Sequence, residues 1–200
     1  MAEHTRLATL DDLPDLLEVF YSAFAGRPTL LEVITLTPGG REFLRQMYEP
    51  AIKSEPATQQ PKLFVARDVN GKVVSSVLYY ILNGVSWPWR QRWPEIQEGM
   101  SEERTGALFD RTDARHSAIM KEPHLYVVFL CTHKDHHKKG YATSLLRMCN
   151  DLADEMNYGC YVDAGVDAKG VYESVGYFPH PEFGQNNPAT MWRKKKSERS

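Results

Sequence analysis

The most constraining feature of the chain is an unbroken apolar run, His124-Leu125-Tyr126-Val127-Val128-Phe129-Leu130-Cys131-Thr132, followed at once by a basic loop and then an amphipathic pattern. A continuous apolar stretch of strand length predicts a strand covered on both faces, and therefore a central one. Beyond the loop, Ala142, Leu145, Leu146, Cys149, Leu152, Ala153 and Met156 share one helical face, with Asn157 and Gly159 placed to end the helix. Strand, basic glycine loop and helix in this order make an anion-binding layout, because the first amides of a helix lack internal acceptors and lie at the positive end of its dipole. Gly140 and Ala142 allow a ligand to approach the backbone closely. Neither G-x-x-x-x-G-K-[ST] nor G-x-G-x-x-G is present, so the P-loop and dinucleotide readings lack their fingerprints.

Any phosphate site has to be local. The 24 Lys and Arg nearly balance 26 Asp and Glu, giving the 200-residue chain a formal charge of −2 and no general attraction for nucleic acid or anionic membrane. His133, His136 and His137 invite a metal reading, but no carboxylate or cysteine pattern accompanies them, and histidines beside lysines suit phosphate equally well; no metal is expected. Three scattered cysteines are too few for a disulfide framework. The first ten residues lack the apolar run of a secretory signal, and no stretch is long enough for a membrane span, so a cytoplasmic protein is expected. The run Arg193-Lys194-Lys195-Lys196 reads as a solvated, frayed end, with a nuclear address as the alternative.

Upstream, His4 to Ala8 reads as a short strand. Leu13, Leu16, Leu17, Phe20 and Phe24 predict a helix capped by Asp11 or Asp12, and Glu42 to Tyr48 a second one ending near Pro50. After a loop over Lys53–Pro61, the strands Leu63–Arg67 and Val73–Leu82 flank Asn70-Gly71 and predict an antiparallel hairpin. Asn83 to Glu122 breaks the pattern as an insertion of about 40 residues, its second half helical. A last strand, Cys160–Ala164, leads into Val171-Tyr172-Glu173-Ser174-Val175-Gly176-Tyr177.

Here two segments carry a resemblance. His137-Lys138-Lys139-Gly140-Tyr141-Ala142 resembles the Q/R-x-x-G-x-G/A acetyl-CoA motif of the GNAT N-acetyltransferase superfamily, and residues 171–177 resemble its later a-x-x-L-Y-x-x-x-G-F signature. His137 departs from the usual Arg or Gln, and Ala142 takes the last glycine position, a variant the pattern admits. The insertion is similar to that of a fungal-type subgroup. The resemblance implies an α/β (α+β) fold: a mixed, mostly antiparallel sheet with splayed parallel central strands, flanked by helices. It would fill one domain, 1–193, with the insertion at 83–122 and a basic tail at 194–200.

The resemblance further implies acetyl-CoA as cosubstrate. Leu130, Cys131 and Thr132 would pair with its pantetheine arm. The amides of Lys139, Gly140, Tyr141, Ala142 and Thr143 would receive the pyrophosphate, with His137 and Lys138 beside them and an oxyanion donor near Cys131. Tyr172 matches the position whose phenol protonates the departing thiolate; its other reading is a core tyrosine. His124 is the candidate base, ahead of Tyr126 and Glu18. Cys131 beside His133 suggests a nucleophile, yet a cysteine in an apolar strand reads as inert core, so direct transfer in a ternary complex is expected. Trp87, Trp89 and Trp93 with Glu95, Glu98, Glu102 and Glu103 form either an aromatic, acidic wall for an amine or insertion core and a solvated helix face. The expected acceptor is a small-molecule primary amine, with a protein lysine or N-terminus, or a non-catalytic acyl-CoA-binding module, as alternatives. Neither nucleic acid nor membrane is an expected partner, and the expected state is monomer or homodimer.

Overall fold

The computed structural model describes residues 5–53, 61–84, 88–185 and 189–199. Along the chain run β1 (Thr5–Leu7), α1 (Leu13–Ala23), α2 (Pro28–Leu31), α3 (Pro38–Lys53), β2 (Lys62–Arg67) and β3 (Val73–Asn83). There follow α4 (Trp89–Arg92), α5 (Glu102–Ile119), β4 (Pro123–Thr132), α6 (Tyr141–Glu155), β5 (Gly159–Asp163), α7 (Lys169–Glu173), β6 (Phe178–Pro179) and β7 (Thr190–Arg193). The strands form one seven-stranded sheet in the order β1-β2-β3-β4-β5-β7-β6, antiparallel throughout except for β4 and β5. This is the mixed sheet that the resemblance implies, and the apolar run is its central strand, as its pattern predicts. His4, Trp87 and most of the loop after Lys53 lie outside the described residues.

Local chemistry explains the elements and two departures. Gly71 takes φ +82 in the β2–β3 turn, and Asp68 Oδ1 accepts from the amides of Asn70 (2.9 Å) and Lys72 (3.0 Å), the self-bonding that Asp supplies in turns. Asp12 occupies the N-cap of α1 but does not cap it. Its buried carboxylate turns back to the amide of Thr9 at 2.8 Å and ties Arg6 and Arg67 to the helix entrance. The second predicted helix does not stop near Pro50: α3 runs through it to Lys53. A proline forfeits an internal hydrogen bond; Phe43, Leu44, Met47, Tyr48 and Ala51, all buried on one stripe, offset that loss by packing.

The described part of the insertion contributes Trp89, Trp93 and Phe109 to the core. Ser101 Oγ accepts from the amide of Arg104 and starts α5. Trp89 and Trp93 are buried; Trp93 meets Phe109 edge-on at 4.2 Å and stacks on Phe129 at 6.2 Å. Glu95, Glu98, Glu102 and Glu103 are exposed. The described tryptophans and these glutamates therefore form no acceptor wall; burial of the indoles separates them from the solvated acids. The C-terminal basic run is not frayed either. Arg193 makes two 2.7 Å bonds to Asp154, Lys195 pairs with Glu122 at 2.7 Å, and Arg199 also reaches Asp154.

Candidate functional site

The site follows from how β4 is paired along its length. It is hydrogen-bonded to β3 from Asn83↔Pro123 to Ser75↔Thr132, but to β5 only from His124↔Gly159 to Val127↔Val162. Past Val127 the two parallel strands part, and β4 presents a bare edge. A bulge falls at this point: Leu78 pairs with Phe129 while Tyr79 pairs with Val127, leaving Val128 out of register. His133 N–H bonds to the Val74 carbonyl at 2.9 Å, and Ser75 Oγ donates to the Cys131 carbonyl at 2.7 Å. Alternation along an antiparallel ladder then directs the main-chain groups of residues 131 and 133 to β3, and those of Leu130 and Thr132 to the bare edge.

That edge leads into the basic loop. His137 Nε2 lies 3.0 Å from the Thr132 carbonyl, and Lys139 Nζ donates to the Asp135 carbonyl at 3.0 Å, folding the loop back onto the strand end. Two residues then take left-handed conformations, Lys138 (φ 60) and Gly140 (φ +85), and α6 starts at Tyr141. The amides of Gly140, Tyr141, Ala142 and Thr143 find no backbone acceptor outside the helix, and the helix itself offers none. A Cβ built on Gly140 meets nothing within 4 Å, so the turn at the helix start is open on that side. Lys138 and Lys139 are exposed. A strand edge that β5 leaves open, with the Thr132 carbonyl taken by His137, followed by orphan helical amides, fits an extended amide chain that carries phosphate.

Tyr172 sits on α7 with 3% of its surface exposed. Its ring meets Tyr177 edge-on at 5.4 Å, and burial pushes its phenol above the usual range, with the Cys131 and Cys149 thiols adding to the rise and Arg27 opposing it. Cys131 is fully buried, and burial pushes its thiol up to about 12, which leaves it protonated and a poor nucleophile.

His124 lies at the other end of β4. It is fully buried, its Nδ1 is 2.7 Å from the Glu122 carbonyl, and its Nε2 is 2.6 Å from His116 Nε2. Donation from Nδ1–H to Glu122 leaves His124 Nε2 to accept from His116. Burial lowers the pKa of both rings, that of His116 to about 2, with His124 and Arg92 adding to the effect. His116 stacks on Tyr126 at 4.2 Å and on Tyr161 at 4.9 Å, over the last rungs before the strands part. Tyr126 is buried beneath it, and Glu18 is half-exposed, tied to Lys72 at 2.9 Å and 3.6 Å from His133 at the Thr132 end of β4. The sequence reading overlooked His116, although its spacing from Thr105 and Phe109 puts it on the buried stripe of α5. It also overlooked Arg27, which pairs with Asp167 across 140 positions; no local pattern reveals that contact. Among the described residues no group of three or more His, Cys, Asp or Glu could hold a metal ion, and no helix is long and apolar enough to cross a membrane.

Solved structures of known proteins share the fold. The solved structure of histone acetyltransferase HPA2 and related acetyltransferase from Corynebacterium glutamicum is 25% identical, with a TM-score of 0.60 over 98% of this chain and 97% of that one. Arylalkylamine N-acetyltransferase 2 from Aedes aegypti shares the fold at 18% identity and a TM-score of 0.64, covering 88% of this chain and 82% of that one. A mosquito arylalkylamine N-acetyltransferase like 5b does so at 16% and 0.56, over 86% and 82%. No protein with a curated description matches the chain. The profile of the Acetyltransferase (GNAT) family matches residues 30–177, a span that holds the splayed strands, the loop and the α7 tyrosine: the chain belongs to the GNAT family of acetyltransferases, enzymes that use acetyl-CoA.

Proposed function

We propose that the protein transfers acetyl from acetyl-CoA to a primary amine of a small molecule, by direct attack within a ternary complex. The observation that carries this reading is the open edge of β4 followed, across the basic loop of residues 133–140, by the orphan amides of α6. Leu130 and Thr132 would pair with the pantetheine arm, with Cys131 between them turned to β3. The amides of Lys139, Gly140, Tyr141, Ala142 and Thr143 would hold the diphosphate, Lys138 would add charge, and His137 would pin the loop to Thr132. Bound acetyl-CoA supplies the activated carbonyl. Tyr172 would give a proton to the departing sulfur, and His124 would accept the amine proton through His116, since both of its own ring nitrogens are engaged.

A small acceptor is favoured over a polypeptide because α4 and α5 cover the sheet face over Tyr126 and Tyr161. The arylalkylamine for which the two mosquito enzymes are named fits that reading. Calorimetry with acetyl-CoA, followed by thiol release with a panel of amines, tests it. Binding should be stoichiometric, at least one amine should turn over, and Tyr172→Phe should lower kcat about 100-fold with binding intact. Binding without turnover would instead mark a non-catalytic acyl-CoA module, and turnover of peptides alone a protein acetyltransferase.

A further inference from the structure

We propose that Arg115 forms a carboxylate-binding subsite at the fork of β4 and β5, and that the acceptor is accordingly an amine that also carries a carboxylate, an amino acid. The inference narrows the small-amine reading above and rests on it.

The last rung between the two strands is Val127↔Val162, so the next residue of β5, Asp163, stands where they part. It pairs with Thr190 of β7 on its other side. Among residues 128–132 of β4 and 163–165 at the end of β5, Asp163 is the sole charged side chain. Its carboxylate is filled. Arg115 Nε donates to Oδ1 at 2.7 Å, the Tyr161 hydroxyl to Oδ2 at 2.9 Å and Thr190 Oγ1 to Oδ1 at 3.3 Å, and the side chain is 13% exposed. A second cation would find little of it left.

The guanidinium is in the opposite state. It carries five N–H donors in a planar fork, and Nε is the one spent on Asp163. The Tyr161 phenol lies beside it as well, but among the described residues no other carboxylate pairs with it, and 20% of the side chain stays open to water. The acid at Nε fixes the plane of the group and leaves the far edge, made by the two terminal nitrogens, for a second carboxylate in paired bonds. A strap between α5 and β5 needs only the Nε bond, so the unspent edge is what a structural role does not explain.

The placement suits an amine substrate. His116, the next residue of α5, stacks on the Tyr161 ring at 4.9 Å, while the Tyr161 hydroxyl shares the Asp163 carboxylate with Arg115. The proton relay and the guanidinium thus lie at the ring and the hydroxyl of one phenol, a separation that a short amino acid spans between its nitrogen and its carboxylate. A site with a donor edge built for one ligand group rejects analogues that lack the group, because the donors are then left unpaired.

Steady-state kinetics of the full chain with acetyl-CoA and matched pairs test this: phenylalanine against phenethylamine, tryptophan against tryptamine, and β-alanine against ethylamine. At least one amino acid should exceed its decarboxylated partner in kcat/KM by about 10-fold or more. Arg115→Gln should raise KM for that amino acid about 30-fold and cost the partner less than about threefold. Arg115→Lys, which keeps the charge but not the planar edge, should recover only part of the loss. Because Arg115→Gln strands Asp163, the double variant Arg115→Gln with Asp163→Asn keeps the pair neutral and should show the same selective loss. Decarboxylated amines turned over as well as the amino acids, or a loss shared equally by both members of a pair, would overturn the subsite and leave the small-amine reading standing. Turnover of peptides alone, or of no amine at all, would remove that reading and the subsite with it.

Discussion

The two ends of β4 are built on opposite rules. At the Pro123 end the strand is paired on both sides, His124 is sealed beneath α5, and its ring nitrogens are both engaged. At the Thr132 end one side is bare, and the helix that follows begins with amides that bond to nothing in the backbone. Leaving a buried polar group unpaired costs about 1–3 kcal/mol, so a fold keeps such groups only where they stay open to water or a ligand. The contrast separates the half of the strand that holds the molecule together from the half that meets the coenzyme.

Breaking the closed end should cost the most stability and leave binding alone. Arg193, paired with Cys160 of β5 in the sheet and 5% exposed, makes both of its bonds to Asp154. Arg193→Ala strands a carboxylate that then has only Arg199 beside it, and should lower unfolding stability by about 3 kcal/mol. Urea denaturation measures that loss, and calorimetry should find acetyl-CoA affinity unchanged. A variant of normal stability that binds acetyl-CoA poorly would erase the division between the two ends.

Acid should attack the same end. His116 and His124 are held neutral, with pKa values below that of an unfolded histidine. The unfolded chain therefore binds more protons as pH falls below about 6.5, and stability drops with it, by up to about 1.4 kcal/mol per pH unit for His116. Between pH 6.5 and 5.5 His116 should remove roughly 1 kcal/mol, with His124 acting in the same direction, and the loss is regained as pH rises above 7. His180, lowered by partial burial, adds a shallower share, while carboxylates held low by arginines, such as Asp154, act only below about pH 4. Denaturation midpoints across this range should flatten in His116→Phe; an unchanged slope would mean the rings are not the groups that titrate.

Much of the open end was legible in the sequence. A doubly covered strand, a glycine that has to adopt positive φ and a helix with one apolar stripe are all local signals, and residues 124–156 carry the three in a row. The hairpin at Asn70-Gly71 was legible for the same reason. The closed end was not. His124 reads as a residue at a strand's mouth until α5 is laid over it, and that placement depends on where a 40-residue insertion packs. Asp12 has the identity and position of a cap, yet two arginines distant in sequence or turned back from β1 claim its carboxylate. Tryptophans beside glutamates look like a binding wall because composition cannot say that one set points inward and the other out. Pairing partners far apart in the chain are set by tertiary packing, and no window of sequence contains them.

At the open end, the backbone and the lysines divide the work unequally. Gly140 holds φ +85, and a Cβ there meets nothing within 4 Å, so Gly140→Val acts chiefly through conformation. A β-branched residue there costs about 1–2 kcal/mol, which rotates the turn and its amides and should weaken acetyl-CoA binding about tenfold with little change in melting temperature.

Lys139 should matter less, because its ammonium is already bonded to the Asp135 carbonyl and its charge stands in water, where salt screens it. Lys139→Ala should weaken acetyl-CoA binding about two- to threefold at low salt, and that difference should vanish as ionic strength rises toward 0.5 M. The parent protein should retain most of its affinity over the same range, since main-chain amides at a helix start are fixed dipoles, not mobile charges. If affinity instead collapsed with salt in parent and variant alike, the diphosphate would be held by the lysines, and the bare edge of β4 would lose its privileged place in the comparison.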